Sequence, residues 1–321
     1  MGLDGIELCA WCGRCLVECP VFKASADTTH LPLFKARLLR RIVEASQGIV
    51  SRIAENPGAS VEDLISNWSG RVFECTLCGA CTEECRYEIE PHRLWYQLRE
   101  YVAARGYDGS RISEVAGRTR TYGNPYGISG RAREFWIRKA SVRVRIPVGR
   151  APTIYFIGCT TFARHENRSI AIAMARILNR AGVEWAVLGP DEPCCGAPLQ
   201  MLGETEMFKG QIKSLVDKLA GAGAETVVTA CPTCYRVLSF EYEAIAGVKP
   251  PFKVEHSTTY VMRLVEEGRI RLRESGGEVV FHDPCELSRG GGIMDEPRSL
   301  LRMAGYRVLE PELHGRKTFC C

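Results

Sequence analysis

Cysteine is the residue that most constrains this chain, because its 16 copies are concentrated in dense groups. Two groups share the spacing C-x2-C-x2-C-x3-C, one from Cys9 to Cys19 and the other from Cys75 to Cys85. The chain has 321 residues, 45% hydrophobic and 25% charged, which is typical of a globular protein of about two domains rather than a small disulfide-stapled module. The thiols are therefore expected to stay reduced and available as ligands.

The spacing of these two groups predicts two 4Fe–4S clusters. Three thiolates at intervals of three can wrap one cuboidal cluster, and the displaced fourth thiolate is then directed towards a second cluster. Zinc favours two C-x2-C pairs and leaves the third evenly spaced cysteine of each group unexplained. One cluster is expected to bind Cys9, Cys12, Cys15 and Cys85, and the other Cys75, Cys78, Cys81 and Cys19.

Composition and hydrophobic pattern divide the chain into three regions. Residues 1–105 are helical in pattern, with an amphipathic helix predicted over 35–45 and a second helix over 93–105. Residues 106–150 are rich in Gly and Arg and are expected to form a basic linker. Residues 131–150 hold seven basic residues and one acid, so this stretch is either a solvated linker or a docking strip for an acidic partner subunit.

Residues 151–321 alternate strand and helix patterns, which predicts an open sheet of parallel strands. Strands are expected at 153–157, 185–188 and 226–230, and each is followed by cysteines. Because ligands bind at the carboxyl edge of such sheets, these thiolates are expected to converge there on one metal site. The five residues are Cys159, Cys194, Cys195, Cys231 and Cys234.

This α/β pattern begins again near residue 278, so two repeats are expected, at 151–256 and 278–321. Cys159 and Cys194 are 35 residues apart, as are Cys285 and Cys320, and both repeats carry a Cys-Cys pair. The second repeat has only Cys285, Cys320 and Cys321, and its missing C-x2-C would fall beyond Cys321. Either the chain is a fragment, or a partner supplies the remaining ligands, or these three thiols are free or partly occupied.

The pattern Cys159-x34-Cys194-Cys195-x35-Cys231-x2-Cys234 resembles the cysteine-rich CCG domain of heterodisulfide reductase and its relatives. The preceding segment, with Trp11-Cys12-Gly13-Arg14-Cys15 and Glu74-Cys75-Thr76-Leu77-Cys78-Gly79-Ala80-Cys81, is similar to the small subunit of that enzyme and to the α-helical ferredoxin domain of succinate dehydrogenase. The resemblance implies an α + α/β fold, and a non-cubane iron–sulfur cluster on the five cysteines. A second such cluster requires that the missing ligands be supplied.

The resemblance also implies an oxidoreductase subunit whose five-thiolate cluster reduces a small-molecule disulfide. A flavoprotein or a cytochrome b-type membrane subunit is the implied partner. The alternative is an electron relay between a flavin-dependent dehydrogenase for glycolate, glycerol-3-phosphate or lactate and a quinone or cytochrome. The iron–sulfur subunits of those enzymes have the same plan.

Other features exclude several functions. A net charge of +4 is too small to indicate a nucleic-acid protein. No signal peptide or apolar run of membrane-spanning length is found, so a cytosolic chain is expected, with membrane contact only through a partner. No G-x-G-x-x-G follows a strand and no C-x2-C-H occurs, so neither a bound flavin, a nicotinamide nor covalent haem is expected.

Three histidine, acid and glycine features remain as minor candidates. His256, His282 and Asp283 are expected at strand ends, as cluster-tuning groups, as proton relays or as structural residues. Gly290 to Gly292 are expected to form a flexible loop or a phosphate cradle.

Overall fold

The structure, a computed structural model, describes residues 6–16, 18–46, 61–106 and 109–321. These residues fall in two compact units. The first contains the chain up to Ser113 together with Leu199–Thr205 and Arg316–Cys321, and the second contains Glu114–Pro198 and Glu206–Gly315. None of the helices in the described residues is both long and apolar enough to cross a bilayer.

The first unit is helical. Its helices are α1 (Pro20–Ser25), α2 (Pro32–Ser46), α3 (Val61–Phe73), α4 (Ala80–Glu83) and α5 (Pro91–Ala103), with short 3-10 turns at Ile6–Leu8, Arg14–Leu16 and Thr28–His30. The helices predicted over 35–45 and 93–105 are confirmed as α2 and α5. Their apolar faces form the core with α3, where Leu39, Ile42 and Leu98 are fully buried.

The second unit is built on a parallel sheet. Its four strands are β1 (Thr153–Phe156), β2 (Trp185–Ala186), β3 (Thr226–Thr229) and β4 (Lys253–His256), in the order β2-β1-β3-β4. The three predicted strands are confirmed, and β4 is an addition that the sequence pattern did not indicate. Thr153 of β1 lies opposite both Trp185 of β2 and Thr226 of β3. All the strands are parallel, but β2 is added on one side of β1 and β3 on the other. Open parallel sheets bind ligands at such a point, between β1 and β3 at their carboxyl ends.

Helices connect and cover these strands. They are α6 (Gly109–Tyr122), which starts within the first unit, α7 (Gly130–Ser141), α8 (Cys159–Ala163), α9 (Arg168–Arg180), α10 (Ala197–Leu202), α11 (Thr205–Gly221), α12 (Pro232–Arg236), a π-helical turn (Val237–Glu241), α13 (Tyr242–Ala246) and α14 (Ser257–Glu266). All four residues of β1 are buried, as expected for a strand with helices on both faces of its sheet.

The segment expected to be a linker contains α6 and α7. Trp136 and Ile137 of α7 are buried in the core of the second unit, where Trp136 packs edge-on against Phe162 with ring centroids 5.5 Å apart. Its many Arg and Lys residues, most of which face outward, conceal this apolar stripe in the sequence. The turn predicted at 122–127 is confirmed, and the buried Asn124 side chain closes it with hydrogen bonds to Tyr122 and Ile128.

A second, smaller parallel pair follows, with the same strand–cysteine–helix–strand order as β1 and β2. It comprises β5 (Glu278–Val280), α15 (Cys285–Ser288), α16 (Asp295–Met303) and β6 (Arg307–Leu309), and β5 pairs with β6. Arg298 of α16 forms two hydrogen bonds to the Asp283 carboxylate, at 2.7 and 2.6 Å, and two to Glu310, at 2.7 and 2.8 Å. This buried network ties the loop before Cys285 to α16 and to the segment after β6.

We predict that Arg298→Ala lowers the free energy of unfolding of the second unit by about 3–5 kcal/mol, because Asp283 would remain as a buried charge without its partner. Arg307→Ala is the matched control, because Arg307 forms an exposed ion pair with Glu278. We expect it to cost at most about 1 kcal/mol. Urea unfolding followed by circular dichroism measures both, and equal losses in the two variants would contradict the prediction.

Candidate metal centres

The two cysteine motifs of the first unit adopt the same backbone conformation. The residue before the second cysteine is left-handed in both, with φ of 56° at Trp11 and 55° at Leu77. The glycine after the second cysteine is also left-handed, with φ of 73° at Gly13 and 76° at Gly79. Because non-glycine residues seldom adopt positive φ, two matching occurrences indicate that the loops are shaped for the same task.

The ends of the motifs differ. Pro20 follows Cys19 and occupies the first turn of α1, where its missing N–H costs nothing. Arg86 follows Cys85, and the chain turns there without starting a helix. Replacement of Pro by Arg at this position thus changes the turn and leaves the preceding cysteine in place.

A first cavity, partly open to solvent, is lined by four thiols that come from both motifs. These are Cys9, Cys12, Cys15 and Cys85. Burial, followed by the charge of the neighbouring Cys9, raises the pKa of Cys15 to about 11. A thiol in this position ionises at neutral pH only if a cation, such as iron, compensates its charge.

A second cavity, also partly open to solvent, is lined by the other four thiols, Cys19, Cys75, Cys78 and Cys81. Burial and the nearby Cys75 raise the pKa of Cys81, and the Trp95 indole N–H acts in the opposite direction by stabilising the thiolate. This N–H is buried and has no nitrogen or oxygen partner among the described residues. Trp95 and Pro32 line both cavities, so the two cavities are neighbours.

The second cavity also contains a buried cation. Lys35 of α2 lines it and is only 2% exposed, and its ammonium donates a hydrogen bond of 2.6 Å to the His30 carbonyl. No carboxylate of the described residues lies within 4 Å of this ammonium. A buried charge without a counter-ion is costly, so a cavity with this wall fits an anionic group, as a cluster with four thiolate ligands is.

Within the described residues, no three His, Cys, Asp or Glu side chains converge closely enough to hold a single metal ion. A cluster of four irons is larger than an ion and requires its thiolates to be correspondingly farther apart. The donor set of each cavity, four thiols drawn from two motifs, suits a polynuclear iron–sulfur group.

The third group of cysteines lies at the carboxyl edge of the four-stranded sheet. Cys159 begins α8 just after β1, Cys194 and Cys195 lie in the loop after β2, and Cys231 and Cys234 flank the start of α12 after β3. The Sγ atoms of Cys159 and Cys194 are 3.6 Å apart, and those of Cys195 and Cys234 are 3.4 Å apart.

These five thiols differ in exposure. Cys194, Cys195 and Cys234 are buried, whereas Cys159 and Cys231 are half-buried and form the accessible side of the group. Cys159 and Cys231 follow β1 and β3, which are the two central strands of the sheet. The strands on either side of this pair are β2 and β4. A small molecule approaching this edge would therefore meet these two thiols first.

Three side chains that sequence reasoning missed hold the loops of this site. The Glu192 carboxylate accepts hydrogen bonds from the backbone N–H groups of Ile157 and Gly158, at 3.1 and 2.8 Å, and its burial raises its pKa to about 7. Gln211 and Tyr242 donate to the carbonyls of Cys194 and Cys195, each at 2.8 Å. Glu192 lies two residues before the Cys-Cys pair, and this proximity is the only sequence signal that could have identified it.

The glycine after the Cys-Cys pair has a clear structural reason. Gly196 has φ of +88°, and a Cβ there would lie 2.6 Å from the ring of the fully buried Phe208. Gly158 likewise has φ of +82°, and a Cβ there would lie 3.5 Å from the Cys234 Sγ. Gly196 is therefore required both by its backbone conformation and by close packing, whereas Gly158 is favoured by its backbone conformation alone.

The remaining candidates lie elsewhere. Cys285 begins α15 in the second unit, whereas Cys320 and Cys321 end the segment that belongs to the first unit. His256 caps α14, and burial lowers its pKa to about 4, so it is neutral and structural. His282 is exposed and precedes the buried Asp283.

Gly290 and Gly291 are neither a flexible loop nor a phosphate cradle. A Cβ on Gly290 would lie 2.5 Å from the Arg236 side chain, and one on Gly291 would lie 2.9 Å from the Tyr235 ring. The two glycines therefore serve the close packing of α15 against α12. Consecutive glycines in a sequence do not distinguish this role from flexibility, because both require the absence of a side chain.

Comparison with known proteins identifies the two domains. The family model of a 4Fe-4S dicluster domain matches residues 5–89, and that of the cysteine-rich CCG domain matches residues 153–239. The chain thus combines a ferredoxin-type domain with a CCG domain, as the fold and the cysteine groups indicate. No solved structure matches the chain.

The chain is 29% identical to one of the subunits of dihydromethanophenazine:CoB–CoM heterodisulfide reductase from Methanosarcina acetivorans, over 98% of this chain and 77% of that protein. It is 27% identical to the EtfAB:quinone oxidoreductase of Syntrophomonas wolfei, over 98% of this chain and 47% of the relative. It is also 27% identical to the probable iron–sulfur-binding oxidoreductase FadF of Bacillus subtilis, over 98% and 49%. The expected resemblance is confirmed: this is an iron–sulfur oxidoreductase subunit related to that heterodisulfide reductase protein.

We predict that Gly196→Ala lowers the iron bound by the second unit at least several-fold, because the left-handed backbone and the Phe208 ring together oppose a Cβ beside Cys195. Gly210→Ala is the matched control, because Gly210 lies in α11 with nothing within 4 Å of its added Cβ. Iron and sulfide analysis of anaerobically purified protein measures the effect. If the iron content of Gly196→Ala equals that of the wild type, Gly196 is not required for the position of Cys195.

Proposed function

We propose that this chain is the iron–sulfur subunit of a heterodisulfide reductase-like complex and reduces a disulfide at the five-thiol site. The observation that carries the proposal is the convergence of five cysteines at the carboxyl edge of β1 and β3, with Cys159 and Cys231 on the accessible side. Such an arrangement suits a metal centre that a small substrate can reach.

We propose that two cubane clusters of the first unit supply the electrons. Cys9, Cys12, Cys15 and Cys85 would hold one, and Cys75, Cys78, Cys81 and Cys19 the other. The support is that each set lines its own cavity, although each cavity draws one thiol from the other motif. Pro32 and Trp95 line both cavities, so the two sets of thiols are neighbours, as electron exchange between the clusters requires.

The five-thiol site would hold a non-cubane cluster through Cys159, Cys194, Cys195, Cys231 and Cys234. When bound, such a cluster supplies electrons at the edge of the sheet. Reduction of a disulfide consumes two electrons and two protons and releases two thiols. The chain's own part is to fix the loops through Glu192, Gln211 and Tyr242 and to leave one side of the group accessible. A second site of this kind with Cys285, Cys320 and Cys321 stays a prediction.

The electron donor is proposed to be a partner protein, either a flavoprotein or a cytochrome b-type membrane protein. This proposal is supported by similarity over nearly the whole chain to a protein that is named as one subunit of a reductase. The location of the chain in the cytosol stays a prediction as well.

A second function is favoured by the similarity to the EtfAB:quinone oxidoreductase, which also covers 98% of the chain. In that case the chain relays electrons from a flavin-dependent dehydrogenase to a quinone or cytochrome partner and binds no disulfide. The two functions differ in whether a substrate reaches the five-thiol site.

Each proposed cluster takes three thiols from one motif and the fourth from the other, and this predicts which cysteine variants alter the same spectroscopic signal. We expect Cys12→Ser and Cys85→Ser to alter one electron paramagnetic resonance signal of the reduced protein, and Cys78→Ser and Cys19→Ser to alter the other, because serine oxygen is a poor substitute for a thiolate ligand. Ala10→Ser and Thr76→Ser are controls in the same loops. If Cys85→Ser grouped with Cys78→Ser, each cluster would be bound by a single motif and the proposed sets would be wrong.

Disulfide reduction predicts a substrate-dependent signal. We expect the paramagnetic spectrum of the loaded protein to change when a small thiol or its disulfide is added, and Cys231→Ser to abolish that change while Thr233→Ser retains it. With a reduced viologen dye as donor, the loaded protein should also release thiols from the disulfide. If neither the thiol nor the disulfide changes the spectrum, the electron relay is the function that remains.

A further inference from the structure

The charges around the two cubane sites of the first unit are distributed unequally. The second cavity, with Cys19, Cys75, Cys78 and Cys81, has Lys35 in its wall and no acidic residue in its described lining. The first cavity has Arg14 and Glu84 in its lining, and these two side chains form an ion pair at 3.4 Å. The first site is therefore close to neutral, whereas the second has an unmatched positive charge among the residues that the structure describes.

The position of Lys35 strengthens its effect. Its side chain is buried, and its ammonium lies 5.9 Å from the centre of the Trp95 ring. Its one hydrogen bond to the described residues goes to the His30 carbonyl, although an ammonium has three donors. Coulomb interactions in a buried site are several times stronger than in water, so the charge acts mainly on the group in this cavity.

Other charges near the second site do not cancel this effect. Arg71 pairs with Glu74 at 3.0 Å and with Asp27 at 3.1 Å, and all three side chains are partly exposed, so solvent screens them. Arg99 is buried and donates to the Cys75 carbonyl, which adds a second cation on the same side.

We propose that Lys35 makes the cluster bound by Cys19, Cys75, Cys78 and Cys81 the more easily reduced of the two cubane clusters. Reduction adds one electron to a cluster and makes its net charge more negative by one. Nearby positive charge and hydrogen bonds to sulfur favour that state and raise the reduction potential. When the first unit holds one electron, that electron is therefore found mainly on the cluster of the second site.

The burial of the second site acts in the opposite direction, because a low dielectric disfavours additional negative charge. Cys19 and Cys81 are buried, whereas Cys12 of the first site is exposed. Replacement of Lys35 removes the cation and leaves this burial largely unchanged, so the variant separates the two effects.

The inference rests on the two cubane clusters of the proposed function, so the experiment first counts them. Iron and sulfide analysis of the loaded wild-type chain must show at least the iron of two four-iron clusters, beyond any iron held by the five-thiol site; if it does not, the proposed function fails before this inference is tested. Stepwise reduction with dithionite is then followed by electron paramagnetic resonance, and the two signals are assigned with Cys12→Ser and Cys78→Ser. We expect the signal altered by Cys78→Ser to develop first. If the signal altered by Cys12→Ser developed first, the inference would be overturned with the clusters intact.

The variant Lys35→Met tests the cause. We expect the ratio of reduced to oxidised cluster at the second site to fall about tenfold at a fixed potential, which corresponds to ~59 mV for one electron, while the first site stays unchanged. Lys35→Arg, which keeps the charge, should remain close to wild type. Lys23→Met is the control, because Lys23 is exposed and pairs with Glu18 at 2.9 Å. Equal changes in the reduction ratio at both sites, or no change at either, would overturn the role of Lys35. If Lys35→Met fails to bind its clusters, the order in which the two wild-type signals develop still decides which cluster is more easily reduced.

Discussion

The cost of burying closely spaced thiolates is the constraint on which this structure depends. Burial and neighbouring thiols raise the pKa of Cys15 to about 11, and burial and Cys75 also raise that of Cys81. Thiols in this state bind metal only if the fold keeps them together and the metal supplies the compensating charge. The left-handed turns at Gly13 and Gly79 and the packed helices around them meet the first condition.

The second unit meets the same constraint with a sheet. Parallel strands end at one edge, and each of the strands β1, β2 and β3 delivers its cysteines to that edge through a short loop. The loops are held by Glu192, Gln211 and Tyr242, which bond to backbone groups and leave the sulfur atoms free to serve as ligands. The sheet thus provides a rigid base, and side-chain hydrogen bonds provide the position of each thiol.

Charge placement adds a layer that the cysteine pattern does not contain. The two four-thiol sites of the first unit have similar loops, but the wall of one holds Lys35 and that of the other holds the Arg14–Glu84 ion pair. Similar ligand sets can therefore have different reduction potentials, because the potential depends on the surrounding charges as well as on the ligands. A direction for electron flow can follow from this difference.

The sequence by itself determined the class of protein, since the spacing of Cys9 to Cys19 and Cys75 to Cys85 and the Cys194-Cys195-Gly196 triplet are local patterns that metal chemistry imposes. It also indicated α2, α5 and the strands β1 to β3, whose apolar periodicity is strong. It missed α7, whose apolar stripe is concealed by charged residues, and it misjudged Gly290 and Gly291. Only the tertiary structure decided that Glu192 bonds to the loop before Cys159 and that Lys35 lines the second cavity. Both contacts join residues far apart in the chain, and no local pattern specifies which distant group a buried charge will meet.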